Sequence, residues 1–158
     1  MSPTDDEKNK KNVENLMRVG EILVEKGWIT WEQLKGALEI QRKTHRRLGD
    51  ILIDHGIVGR KDLYKALALQ SGMAFVDLES VTPQKIAVSL VDKKLAQKYR
   101  IIPLIYKEET LLIAIADPKN EWPEDKLKDW TKIKNIRTVL ASPEDIDQAI
   151  LKYYSNPS

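Results

Sequence analysis

A stretch of 24 residues occurs twice in this chain, and such a duplication restricts the fold to architectures built from two like units. Arg18 to Gln41 reads RVGEILVEKGWITWEQLKGALEIQ, and Arg47 to Gln70 reads RLGDILIDHGIVGRKDLYKALALQ. Aligned without a gap, at an offset of 29, the copies share 9 of 24 positions. Most of the rest are conservative exchanges, such as Glu21 for Asp50 and Val24 for Ile53.

Each copy reads as a helical hairpin. In copy one, Leu16, Met17, Val19, Ile22 and Leu23 are apolar at roughly helical spacing. They stop at Gly27, a natural left-handed C-terminal residue. Thr30 and Gln33 then have the spacing of a capping box, with Ile29 placed to staple onto Leu34, so a second helix is predicted from Thr30. Its apolar face is Leu34, Ala37 and Leu38, and Gln41 falls at i+7 on the same face. Copy two predicts a helix from about Leu48 to His55, a stop at Gly56, an N-cap near Gly59, and a face of Leu63, Ala66, Leu67 and Gln70. The linker is Arg42 to Arg46 (RKTHR). One two-helix unit cannot bury its own apolar stripe, so the copies are expected to pack on each other with pseudo-twofold symmetry.

After Gly72 the periodicity changes. Ala74 to Leu78 reads as a strand, and Pro83 opens a helical stretch in one or two pieces to about Tyr99. Ile101–Tyr106 and Thr110–Ala116 read as strands joined tightly through Lys107 to Glu109, with Pro103 at the edge or start of its strand. Asp117 to Asn120 is a predicted turn. Pro123 to about Lys134 is a polar helix with Leu127, Trp130 and Ile133 on one face. Arg137–Leu140 is a third strand, and Ser142 to Asp145 caps a last helix carrying Ile146, Ala149, Ile150 and Tyr153. The expected class is α+β. Residues 1–15 form a flexible leader, 16–72 the duplicated helical-hairpin subdomain, 73–154 a small helix-on-sheet subdomain with an antiparallel or mixed sheet, and 155–158 a frayed tail.

Composition removes several functional classes. A balance of 26 Lys+Arg against 24 Asp+Glu leaves a net charge of +2, too little to steer the whole chain toward nucleic acid or membranes. The basic run Arg42 to Arg47 on helical hairpins prompts a DNA-binding reading, which the modest pI near 8.6 does not support. With no cysteine there are no disulfides, thiolate zinc sites or cysteine nucleophiles, which suits a reducing, cytoplasmic setting. No apolar run is long enough to span a membrane, and the N-terminus lacks a signal-peptide core. Neither a P-loop nor a G-x-G-x-x-G is present. His45 and His55 are read as surface imidazoles, Asp117-Pro118 as a turn, and Trp28, Trp31, Trp122 and Trp130 as packing residues. No catalysis and no cofactor or metal are assigned.

The polar ends of the repeat remain. Gln41 and Gln70 lie on apolar faces, where buried amides need partners, and they recur at one offset. Arg18-Val19-Gly20 and Arg47-Leu48-Gly49 open helices whose first N–H groups lack intrahelical partners, and such ends attract phosphate. A glycine there lets a ligand approach the backbone, or lets two helices pack closely. An arginine can pair with phosphate or stack on a base. Two such ends suit a twofold ligand with two phosphates and two bases, which is the shape of a cyclic dinucleotide.

The tandem pattern R-L-G-x-x-aliphatic-aliphatic-x-x-G-aliphatic-aliphatic, followed by spaced leucines and a closing Gln, resembles the MshEN domain. That is the N-terminal domain of type II secretion and type IV pilus assembly ATPases. Copy two matches every fixed position; copy one departs at Val19 and Trp28. Phe75-Val76-Asp77-Leu78, Lys94 to Tyr99, Ile102-Pro103-Leu104, Ala116-Asp117-Pro118 and Val139 to Ser142 are similar to the remainder of that domain, over about Leu16 to Tyr154 in all. The resemblance implies cyclic di-GMP recognition by Arg18, Val19, Gly20, Leu23 and Gln41 of copy one and by Arg47, Leu48, Gly49, Leu52 and Gln70 of copy two. It implies a regulatory module without the ATPase motor, either an excised domain or a receptor that signals through a secretion or pilus platform protein or an ATPase. Some domains of this fold only dock, so the alternative expectation is a ligand-free docking module. No nucleic acid and no membrane insertion are expected.

Overall fold

The computed structural model of the chain describes residues 19–118 and 124–154. The expected leader and tail, Leu16 to Arg18, Lys119 and Asn120 of the expected turn, Trp122 and Pro123 lie outside the described residues. The class is α+β, in two compact units, Met1–Gln70 and Ser71–Ser158.

In the first unit each copy supplies two helices. Copy one gives α1, helical over 19–25, and α2, Trp31–Thr44; copy two gives α3, Leu48–Asp54, and α4, Arg60–Ser71. Both short helices stop in the same way. Gly27 and Gly56 are left-handed, with φ of 75° and 67°. Gly27 N–H donates to Val24 O at 3.0 Å and Trp28 N–H to Leu23 O at 2.9 Å. In copy two Gly56 N–H donates to Ile53 O at 3.0 Å and Ile57 N–H to Leu52 O at 2.9 Å. This paired pattern satisfies carbonyls that a helix end leaves open. At the start of α2 the capping box is complete: Thr30 N–H donates to Gln33 Oε1 at 2.9 Å, and Gln33 N–H donates to Thr30 Oγ1 at 3.1 Å.

One boundary differs from the sequence expectation. Arg42 to Arg46 is not all linker, because α2 continues through Arg42, Lys43 and Thr44 and closes at left-handed His45. Thr44 Oγ1 donates back to Ile40 O at 2.7 Å, and two cations in the last turn offset the negative end of the helix dipole. The connection is therefore only residues 45–47. The apolar faces of both copies meet in one core, with Leu23, Leu34, Leu48, Ile51 and Leu52 fully buried at its centre. Each such side chain contributes on the order of 1.5–3 kcal/mol relative to exposure, a gain that neither hairpin reaches alone.

The second unit carries a three-stranded mixed sheet in the order β1-β2-β3. β1 (Ile101–Lys107) pairs antiparallel with β2 (Thr110–Ile115), which pairs in parallel with β3 (Asn135–Leu140). The β1–β2 turn is two residues, Glu108 and Glu109, both left-handed at φ 50° and 62°. Pro103 lies within edge strand β1, where the register slips between Pro103 and Ile105, a position that needs no ladder donor. Pro83 precedes two short helices, α5 (Lys85–Ser89) and α6 (Lys93–Tyr99); α7 is Glu124–Thr131 and α8 is Pro143–Tyr153. Contacts join α5, α6 and α8 to β1, and α7 to β3. A two-toothed pair holds α6 to α8: Arg100 Nε and Nη2 donate to the two oxygens of Asp147 at 3.1 and 2.6 Å.

Three expectations fail here. Ala74–Leu78 is not a strand but a single parallel bridge, Phe75 to Leu140, in which Leu140 N–H donates to Ala74 O and Val76 N–H to Leu140 O, both at 2.8 Å. Trp130 does not share the buried face of Leu127 and Ile133; it is 61% exposed. Trp31, at 55%, is likewise no core residue, whereas Trp28 packs against the helical core. Among the described residues, no helix is long and apolar enough to cross a membrane.

Candidate ligand-binding site on the duplicated helical unit

The ten candidate residues fall into four groups. Arg18 lies outside the described residues. Val19, Leu23, Leu48 and Leu52 are buried in the shared core, and the Leu23 and Leu52 carbonyls already accept from Trp28 and Ile57 N–H. Gly20 and Gly49 lie against the second helix of their own copy. A Cβ on Gly20 would sit 2.6 Å from Leu34 Cδ1, and one on Gly49 would sit 2.9 Å from Leu63 Cδ2. Close helix packing thus accounts for both glycines.

The polar members remain available. Arg47 is exposed and is the N-cap of α3, with extended φ −66° and ψ 137° and no side-chain bond to the helix end. Gln41 and Gln70 are half-buried. They are not equivalent in their helices: α2 runs three residues beyond Gln41, and its carbonyl accepts from His45 N–H at 2.8 Å, whereas Gln70 is next to last in α4. Gln70 also makes an interaction of its own within the protein. These groups offer a cation, amide donors and acceptors, and open helix-start N–H groups, which is chemistry for an anionic, hydrogen-bonding ligand.

An ion pair that repeat-based reading misses stands beside the site. Arg46 pairs with Asp54 at the end of α3. In copy one the equivalent positions are Met17 and Glu25, so alignment of the copies gives no signal for it. Elsewhere, His45 and His55 are exposed, and no His, Cys, Asp or Glu group among the described residues could hold a metal. In the second unit, burial first and the Asp92 carboxylate second push the Tyr154 hydroxyl well above its ordinary range; it donates to Val91 O at 2.9 Å. Among the described residues, Asp145 Oδ2, in the first turn of α8, is buried without a hydrogen-bond partner.

A duplicated helical unit followed by a helix-covered mixed sheet is an architecture already known. The N-terminal domain of XpsE has this fold, with a TM-score of 0.56 over 89% of this chain and 96% of that one at 18% identity. Likeness is greater to the solved structure of MshE with cdg: 31% identity and a TM-score of 0.68 over 87% of this chain and 99% of that one. Residues 71–158, more than half of the chain, match the MshEN domain family, and the chain belongs to that family. The family match lies on the sheet-bearing unit, but 87% coverage by MshE necessarily takes in the helical hairpins as well. In sequence the chain is 34% identical to the type IV pilus assembly ATPase PilB of Myxococcus xanthus over 138 residues, 87% of this chain. It is also 34% identical to PilB of Thermus thermophilus over 139 residues. It spans 24% of the first relative's length and 15% of the second's.

Proposed function

We propose that this chain is a cyclic di-GMP-binding regulatory module of a type II secretion or type IV pilus system, a receptor and not an enzyme, working in the cytoplasm. The observation that carries the reading is the 31% identity to MshE, across nearly all of the chain solved with cdg. The duplicated helical unit supports it. Cyclic di-GMP is twofold, with two phosphodiesters and two guanines, and the unit has two like halves, each with an Arg opening and a Gln closing it. Arg47 would pair with a phosphodiester or stack on a guanine, the half-buried Gln amides would bond the base edges, and the helix-start N–H groups would meet phosphate oxygen. The bound module would act on a platform protein or on the assembly ATPase.

Isothermal titration with cyclic di-GMP tests the reading. Saturable heat together with a rise in melting temperature is expected. Silence at high micromolar ligand would leave a docking module that captures its partner without nucleotide.

A further inference from the structure

Duplication does not account for the charge at the junction between the copies. Residues 42 to 46 read RKTHR; the equivalent positions 29 residues on read SGMAF and 29 residues back read VENLM, neither with a cation. Helix-end electrostatics favour cations there but do not require them, since α4 ends with no basic residue in its last turn while α2 has Arg42 and Lys43. Within the junction, Thr44 Oγ1 is occupied by Ile40 O, and Arg46 is engaged by Asp54, which ties the turn to copy two. Arg42, Lys43, His45 and Arg47 are exposed, against the exposed acids Glu39 and Asp50 on the adjoining turns.

We infer that this junction is an electrostatic gathering edge of the site: Arg42 and Lys43 draw in a phosphodiester dianion, and Arg47 takes it over on contact. The inference rests on the cyclic dinucleotide reading above. Exposed charges act over about one Debye length, ~10 Å at 0.1 M salt, so the junction governs encounter rate and its salt dependence and leaves residence time alone. It also makes the two halves of the site unequal, because copy two's far end has no such strip.

The test uses the whole chain, with cyclic di-GMP flowed over immobilised protein at about 20 mM and about 300 mM salt. In Arg42→Gln/Lys43→Gln the association rate is expected to fall about 3- to 10-fold at low salt and to converge with wild type at high salt, with dissociation unchanged. Arg42→Lys/Lys43→Arg, which keeps charge and changes shape, should associate like wild type. Lys26→Gln/Lys35→Gln removes the same charge from exposed positions of the same unit outside the junction and should keep most of the rate. A junction variant at the wild-type rate, a control that falls as far, or a charge-preserving swap that loses the rate overturns the inference while the site itself stands. Wild-type protein that binds nothing removes the site reading, and this inference with it.

Discussion

Gly20 meets Leu34 more tightly than its duplicate Gly49 meets Leu63. Three Leu34 side-chain atoms lie 2.6, 3.1 and 3.4 Å from a Cβ built on Gly20, against 2.9, 3.7 and 3.8 Å for the Leu63 atoms at Gly49. The repeat preserved the contact and relaxed it in copy two. Both leucines are buried, at 2% and 6% exposure, so the difference lies in how much of the side chain must give: several Leu34 atoms at Gly20, one Leu63 terminus at Gly49.

Gly20→Ala is therefore expected to destabilise by about 1–3 kcal/mol from overpacking, more than the ~1 kcal/mol that alanine gains in helix propensity. In Gly49→Ala one flexible Leu terminus can shift, and the two effects should nearly cancel. Urea unfolding of both variants checks the order; equal losses would contradict the packing difference.

The caps of α2 and α4 differ in the same spirit. Thr30→Ala removes the α2 capping box and should cost about 1 kcal/mol. Gly59 has open space around a would-be Cβ, so Gly59→Thr should gain a few tenths of a kcal/mol, the usual difference between a Thr and a Gly cap. A thermal-melt pair measures both, and a loss at Gly59→Thr would mean that its backbone, not its side chain, is what α4 needs.

At the tip of the β1–β2 hairpin, Glu108 and Glu109 hold left-handed backbone that Asn and Gly adopt at lower cost. Glu108→Asn/Glu109→Gly is expected to raise stability by about 1 kcal/mol despite losing the exposed pair of Glu109 with Lys134, 3.3 Å long, which adds little. Guanidinium titration should move to a higher midpoint at unchanged slope.

Tyr154 sets an alkaline limit. Its folded-state ionisation lies above the ordinary value of 10.0, so the stability it supplies is complete below about pH 10 and is lost as pH rises beyond that, when only the unfolded chain gives up the proton. Tyr154→Phe should cost about 1 kcal/mol at neutral pH through the lost bond to Val91 O, and its difference from wild type should shrink between about pH 10 and pH 11.5. A constant difference across that range would exclude the linkage.

For the proposed ligand, Arg47→Ala and Gln70→Ala should each weaken cyclic di-GMP binding by roughly 1–3 kcal/mol. Arg47 is exposed and its side chain makes no bond to the start of α3, so its loss should leave the melting temperature of the unliganded protein in place. Wild-type affinity in both variants removes these positions from the site.

The helical unit was legible because its signals are local. Gly27, Gly56 and the Thr30/Gln33 box announce stops and starts from residues within four positions of each other. Misreadings arose where a distant partner decides. Phe75 bridges only because Leu140 of β3 is there to receive it. At the candidate site, residue types were readable, while the approach of Gly20 to Leu34 and of Gly49 to Leu63 and the burial of Val19, Leu23, Leu48 and Leu52 depend on how the helices pack; the Arg46–Asp54 pair has no counterpart in copy one to reveal it.

Both outer edges of the three-stranded sheet are interrupted by other parts of the unit. On β1, Leu104 O accepts from Gln84 N–H at 2.9 Å, and Tyr106 N–H donates to Gln84 Oε1 at 3.0 Å; on β3, Leu140 is taken by the 74–76 segment. A strand from another molecule meets a β1 ladder broken at Leu104 and Tyr106 and a β3 ladder closed at its Leu140 end, which blunts strand addition along β1 most. A partner that docks along β1 has to read side chains, and surface substitutions there will map it without rewriting the backbone.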